Sequence, residues 1–308
     1  MAEDTVAIVK YSGLVRGGWR CSVAALLVVF VLSLSSPASA TWSIIAVDSE
    51  TGRVGAAMAS CIDAGVLGEP DQPLVPIVLA PGTGVAVTQG TINPDSPAGL
   101  RQLLNDGAEA REAIDLLLEI DEQSDIRQFG VVLLQGVGPE ADVAAFTGQD
   151  AELERGDRTG PTVAVQGVLL AGQGVLDGSL GAFSQSISEG RTFEQALVDG
   201  LVAGSEAGGD RRCGDQTALF AHLVVAEPGD DPFNPSTLLT VTVDREDGQN
   251  PVPELAAALE AGQTGWIDLG LNDPATVPRL AVMAVGALLA IAAIFTIRKG
   301  MGSPAARR

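Results

Sequence analysis

Two long apolar segments, one near each end of the chain, limit the folded part of this protein to what lies between them. Near the start, three cations precede a 12-residue apolar run from Val23 to Leu34, and Pro37-Ala-Ser-Ala40 follows. This order is typical of a cleaved secretory signal. A 12-residue helix rises only about 18 Å, too short for the ~30 Å hydrocarbon core, so an uncleaved anchor is the weaker alternative. We therefore expect the signal to span residues 1–40 and the mature chain to begin at Thr41.

The second apolar segment predicts a membrane anchor. Leu280 to Ile297 contains 18 residues without a charge and shows no polar face, which a buried core helix would have. We place the transmembrane helix at residues 278–297. Four cations lie in the tail, residues 298–308, so the positive-inside rule places the tail in the cytoplasm. The sequence thus predicts a single-pass protein of the cell membrane whose body lies outside.

Between these segments the sequence predicts one domain of mixed α+β class. A hairpin begins at Thr41 and turns at Ser49-Glu-Thr-Gly52. Further strand-like runs and two blocks of helical periodicity follow. The second block predicts helices over Val168–Ser188 and Thr192–Ala207, and Thr192 and Gln195 fit a capping box at the start of the latter. Strands and helices come in groups rather than in βαβ alternation. We assign residues 41–262 to this domain and the polar residues 263–277 to a stalk.

The charge of the predicted ectodomain excludes some partners. The whole chain carries −21, and the cationic ends contribute +1 and +4, so residues 41–297 carry −26. Such a surface repels nucleic acid and anionic lipid headgroups.

The sequence does not predict a metal site. One histidine and two separated cysteines, Cys61 and Cys213, do not supply the ligands of a zinc site, and no cofactor is expected. The two cysteines could instead pair in an oxidising compartment. A homo-oligomer is compatible with the sequence, which does not decide the oligomeric state.

The usual catalytic bases are missing from this ectodomain. The single histidine, His222, lies in an apolar strand-like run that favours a structural role, and both lysines of the chain lie outside residues 41–297. An N-terminal threonine needs neither, because its own α-amine can take the hydroxyl proton. The pKa of an α-amine is ordinarily ~7.7–8.0, close to what a general base needs near neutral pH. Signal cleavage would then generate the catalytic group at Thr41, although Thr41 could also be only the residue after the cut.

An ordered set of short motifs resembles a known family. The motifs are Thr41-Trp-Ser-Ile, Gly55-x-Ala-x-Ala-Ser60, Gly84-Val-Ala-Val-Thr-Gln89, Asn93-Pro94, Gly99-Leu100, Arg127-Gln128, Thr147-Gly148, Val165-Gln-Gly167 and Ala207-Gly-Gly-Asp-Arg-Arg212 with Gln216. Together they resemble the family named domain of unknown function 1028, which is placed in the N-terminal-nucleophile (Ntn) hydrolase superfamily. The resemblance implies a four-layer αββα sandwich, a nucleophile at the start of an inner strand, and hydrolysis of an amide or peptide-like substrate.

The resemblance also suggests roles for individual residues. Thr41 would be the nucleophile, and its amine the base. Candidate oxyanion or polar support comes from Ser60, Gln89 and Asn93. Candidate substrate-binding residues are Gln166, Asp210, Arg211 and Arg212, where the acid could hold the α-ammonium and the arginines could clamp a carboxylate. An ion pair between the arginines and Asp210 is the structural alternative.

Three departures from the family pattern keep a second hypothesis open. Cys61 stands where many relatives have Lys or His, Val168 where Asn commonly follows Val-Gln-Gly, and Cys213 interrupts the usual Arg-Arg-Gly. The first hypothesis is a membrane-anchored extracellular amidohydrolase. The second is a catalytically inert Ntn-like fold that serves as a binding or cell-envelope display module.

Overall fold

The structure, a computed structural model, describes residues 41–69, 71–135, 140–245 and 248–270. The predicted signal (1–40), transmembrane helix (278–297) and tail (298–308) lie outside the described residues. No helix within the described ranges is long and apolar enough to cross a membrane.

The described residues form two β-sheets. Seven strands build the larger sheet: β1 (Thr41–Asp48), β2 (Arg53–Ser60), β7 (Gly156–Thr159), β8 (Val163–Val168), β9 (Phe220–Ala226), β10 (Thr237–Thr242) and β11 (Gly265–Asp268). Their order is β11-β10-β9-β2-β1-β8-β7, and β10 and β11 alone are parallel. The smaller sheet has the order β3-β4-β5-β6 and contains β3 (Ile77–Ala80), β4 (Gly84–Gly90), β5 (Arg127–Leu134) and β6 (Ala141–Thr147). Strand β1 thus lies inside the larger sheet.

Helices cover the outer face of each sheet. The α-helices of the described chain are α1 (Ser96–Asn105), α2 (Ala110–Ile120), α3 (Gly174–Ser188), α4 (Phe193–Glu206) and α5 (Pro251–Glu260). Helices α3, α4 and α5 share an apolar core with the larger sheet, and α1 and α2 share another with the smaller sheet. A third core fills the space between the two sheets. The mixed α+β class predicted from the order of elements is confirmed.

Alternation along β1 decides which of its side chains face the other sheet. Trp42 and Ile44 belong to the core beneath the helices, whereas Ile45 belongs to the core between the sheets. Successive strand residues point to opposite faces, so Thr41 and Ser43 also point between the sheets. The predicted nucleophile therefore begins an inner strand and faces the interior of the molecule.

Three elements differ from the sequence-based expectations. The four-residue strand β7 has no apolar alternation, and its residues are only partly buried, so no periodic pattern marks it. Helix α3 begins at Gly174, six residues after the predicted start, because β8 continues to Val168 and Leu169 then adopts a positive φ of 54°. The predicted stalk contains β11, which pairs with β10. The domain thus extends beyond residue 262.

Candidate active site

Thr41 is buried and is the first residue of β1. It pairs with Ser60 of β2 on one side and with Val168 of β8 on the other, and these are the last residues of their strands. Only 1% of Thr41 is exposed. Ser60 is in register with Thr41 and lies on the same face of the sheet. The predicted nucleophile and one predicted polar support residue are therefore neighbours.

A layer of buried polar side chains lies beside Thr41 between the two sheets. The Ser43 hydroxyl donates to Gln89 Oε1 at 2.7 Å and accepts from Gln166 Nε2 at 2.6 Å. Gln128 Nε2 donates to the carbonyls of Gly156 and Gly167 at 2.9 and 3.1 Å. Because Gln89 and Gln128 belong to the smaller sheet and their partners to the larger one, this polar layer ties the sheets together.

Gln89 holds Thr41 in place through its main chain. Gln89 Nε2 donates to the Thr41 carbonyl at 3.3 Å and to Gln128 Oε1 at 2.6 Å. An amide nitrogen carries two hydrogens, so both donors of Gln89 are occupied. Gln89 therefore fixes the end of β1 in this structure and does not present a free donor to an oxyanion. Gln166, predicted to bind substrate, is fully buried and orients Ser43.

Two glycines bring the loop with Asp210 close to β1. Gly208 and Gly209 have φ values of 105° and 50°, a region that side chains with a Cβ rarely adopt. A Cβ at Gly209 would lie 2.8 Å from the ring of Trp42, the residue next to Thr41. The Gly-Gly pair of the motif thus allows this loop to pack directly on the start of β1.

Asp210 connects the ends of β2 and β8, the first through its carboxylate and the second through its main chain. Its Oδ2 accepts from the Cys61 N–H at 2.8 Å and from Arg212 Nη2 at 2.7 Å, and its Oδ1 accepts from the Arg212 N–H and Nε at 3.0 and 3.1 Å. A backbone bridge pairs Asp210 with Leu170, just beyond β8. Asp210 thus spans the same end of the sheet at which Thr41 lies. The structural alternative, an ion pair of Arg212 with Asp210, is present.

Cys61 and Cys213 form a disulfide, with their Cα atoms 5.6 Å apart. Cys61 directly follows Ser60, and Cys213 lies in the 3₁₀ helix that follows Asp210, Arg211–Gln216. The bond therefore ties the end of β2 to the loop with Asp210. Two of the three departures from the family pattern are partners of each other.

Asn93 belongs to a different polar cluster. Its Nδ2 donates to Asp121 Oδ2 at 3.0 Å, and Asp121 forms a buried ion pair with Arg127 at 2.7 Å. Hydrogen bonds from Arg127, with a smaller contribution from Asn93, lower the pKa of Asp121 to about 2 despite its burial. Asn93 therefore stabilises the loop after β4, and the structure does not bring its amide into the polar layer beside Thr41.

His222 is a core residue of β9. It is fully buried, its Nδ1 lies 2.8 Å from Thr240 Oγ1, and Nε2 has no partner in the described chain. Burial lowers the pKa of His222 to about 3, so the ring is neutral near pH 7. Its neighbours in the sheet are Met58 and Thr240, which supports the structural role expected from the sequence.

The His222 environment predicts a dependence of stability on pH. In the unfolded chain His222 is protonated below its ordinary pKa of about 6.5. In the folded chain it is protonated only below about pH 3. The contribution of neutral His222 to the free energy of unfolding is therefore fully present above pH ~6.5. It decreases by about 1.4 kcal/mol for each pH unit below that value. We expect the free energy of unfolding of the wild type to fall by this slope relative to His222→Gln between pH ~6 and ~4. Denaturant titrations measure it, and parallel curves for the two proteins would contradict it.

The site also contains residues to which the sequence analysis assigned no role. Ser43 and Gln128 belong to the motifs but received no role from them; both are polar residues on the inward face of strands with apolar neighbours, a signal that strand alternation could have provided. Arg245, which contacts Cys61 from the segment after β10, gave no such signal. Within the described ranges, no group of three or more His, Cys, Asp and Glu side chains is placed to hold a metal ion.

Comparison with known families agrees with this geometry. The profile of a family of unknown function, DUF1028, matches residues 41–255, which include every strand and helix of the site. The chain belongs to the DUF1028 family. Its match begins at Thr41, the residue with which the described fold also begins.

One solved structure extends the DUF1028 comparison to the fold. The crystal structure of protein SPO2555 from Silicibacter pomeroyi, itself assigned to DUF1028, has a TM-score of 0.57 and 25% sequence identity to this chain. The similarity covers 74% of this chain and 91% of the other. A search of curated proteins found no match. The DUF1028 comparisons thus support family and fold, and neither names a reaction.

Proposed function

We propose that this protein is an N-terminal-nucleophile amidohydrolase that becomes active when cleavage after Ala40 exposes Thr41. The observation that carries the proposal is the position of Thr41: it is the buried first residue of an inner strand, at the end of a polar layer between two sheets. The helices on the outer face of each sheet support the four-layer order that we propose for this fold.

The proposed reaction uses only Thr41 and water. The Thr41 hydroxyl oxygen bonds to the amide carbonyl carbon, and its proton passes to the α-amine. That proton then goes to the leaving nitrogen as the C–N bond breaks, which leaves an ester on Thr41. Water hydrolyses this ester, so one water is consumed and one acid and one amine are released. Ser60, which pairs with Thr41 across the sheet, is the predicted donor that we assign to the oxyanion.

The disulfide weakens the case for the inert module. That alternative depends on three departures, and two of them, Cys61 and Cys213, form a bond that fixes the end of β2. They therefore have a structural reason that does not require loss of activity. Val168 remains, buried and opposite Thr41. The proposal keeps the sequence-based expectation of export and of a membrane anchor.

Covalent labelling of the exported full-length protein tests the proposal. We expect intact mass and terminal sequencing to place the mature N-terminus at Thr41, and a β-lactone to add one acyl group to that residue. Thr41→Val, which keeps the shape of the side chain but lacks the hydroxyl, is expected to remain unlabelled. A different mature N-terminus, or equal labelling of Thr41→Val, would contradict the proposal.

A further inference from the structure

Two arginine residues lie on either side of the end of β1. On one side, Arg245 donates from Nη1 to the Arg212 carbonyl at 3.3 Å and from Nη2 to the Cys61 carbonyl at 3.4 Å, with Cys61 Sγ at 3.2 Å. On the other side, the Arg211 N–H donates to the Leu169 carbonyl at 3.1 Å. The guanidinium of Arg245 thus contacts the residue after β2, and the main chain of Arg211 contacts the residue after β8.

The register of the sheet relates both positions to Thr41. Cys61 follows Ser60 and Leu169 follows Val168, and Thr41 lies between Ser60 and Val168. Neighbouring strands are ~4.8 Å apart, and successive Cα atoms are ~3.8 Å apart. The Arg245 guanidinium and the Arg211 main chain therefore each contact backbone within about two residues of the proposed nucleophile, one on each side.

Among the residues that the structure describes, neither of these guanidinium groups is paired with an acid. Within the described ranges, no carboxylate lies within ion-pair distance of Arg211 or Arg245, whereas Arg212 is paired with Asp210. Both side chains belong to exposed residues. The segment 41–297 has a net charge of −26, so two cations without an acidic partner in the described ranges are unusual on a surface that repels anions.

We propose that the Thr41 site takes amides that carry a carboxylate close to the scissile bond, with Arg211 and Arg245 as the residues that select it. This inference rests on the proposed function and names its substrate class. A guanidinium binds a carboxylate with two parallel hydrogen bonds. The net negative charge of the segment 41–297 disfavours binding of acidic molecules at other places on the surface. The sequence analysis assigned the binding of a carboxylate to Arg211 and Arg212. Because Arg212 forms an ion pair with Asp210, we assign its part of that role to Arg245.

Two β-lactones that differ in one group test this inference without a known substrate. One carries a free carboxylate beside the lactone, and the other carries its methyl ester. We expect the exported wild type to acylate Thr41 with the acid at least about tenfold faster than with the ester. Arg211→Gln and Arg245→Gln are each expected to lower the rate with the acid by about tenfold and to leave the rate with the ester within about twofold. High salt should reduce the preference.

A matched variant controls for the change in net charge. Arg111→Gln removes one positive charge from an exposed ion pair on α2, in the outer helical layer, and is expected to leave both rates unchanged. The rate with the ester reports whether each variant is folded. Equal rates for the two lactones in the wild type would overturn this inference alone. If neither lactone reacts with Thr41, the proposed function and this inference fail together.

Discussion

Replacing Thr41 with valine is expected to lower kcat/KM for amide hydrolysis by at least about 10³-fold, because loss of a nucleophile removes the covalent step itself. Valine keeps the branched shape of threonine, so the buried end of β1 should stay packed. The measurement is release of amine from a library of aryl amides by the exported protein, compared at equal concentrations of folded enzyme.

Thr41→Ser provides the matched control for this prediction. Serine keeps the hydroxyl and the α-amine and loses one methyl group, so measurable turnover is expected, at a rate between those of the wild type and of Thr41→Val. Both variants should retain the disulfide and a cooperative unfolding transition. Hydrolysis by Thr41→Val at the wild-type rate would refute the assignment of Thr41 as the nucleophile.

Removal of the disulfide is expected to produce the largest change in stability. Cys61 and Cys213 are 152 residues apart in the sequence, so the bond restricts the unfolded chain strongly. Chain-entropy arguments for a loop of this length give about 5 kcal/mol, within the range of about 2–5 kcal/mol usually lost with a native disulfide. We expect the Cys61→Ser/Cys213→Ser protein to unfold with a free energy lower by that amount in denaturant titrations.

A reducing agent supplies the control for the disulfide prediction. It should lower the Tm of the wild type and leave that of the double variant unchanged. Because Asp210 also joins Cys61 to the loop through a hydrogen bond, part of the local arrangement should persist without the covalent bond. Equal stability of the wild type and the double variant under oxidising conditions would contradict the prediction.

The sequence predicted those features that depend on local pattern. The hairpin at Thr41, the capping box at Thr192 and the mixed α+β class each follow from short-range alternation, caps and element order, and each is present. Strand β11 was missed because four residues in parallel pairing carry too little pattern, and the pairing depends on β10 rather than on their own propensity.

The candidate site was only partly predictable because side-chain partners come from distant parts of the chain. The motif containing Asn93 suggested a role beside Thr41, but Asp121 and Arg127, from a later segment, determine where its amide points. Arg245 lies far from Cys61 in sequence and belongs to no motif, so only the fold brings the two together. Arg212 fits the role of a substrate ligand by its motif alone, and its hydrogen bonds to Asp210 show that the guanidinium is already engaged.

The polar layer between the sheets has a consequence for how a substrate can enter. Ser43, Gln89 and Gln128 connect the two sheets by hydrogen bonds at the end where Thr41 lies, and these bonds are shielded from water. Separating the sheets there would break several of these hydrogen bonds at once, each with a net contribution of ~0.5–1.5 kcal/mol. The sheets should therefore stay joined at this end, and a substrate of the mature protein is expected to approach Thr41 along the strand ends rather than from between the sheets.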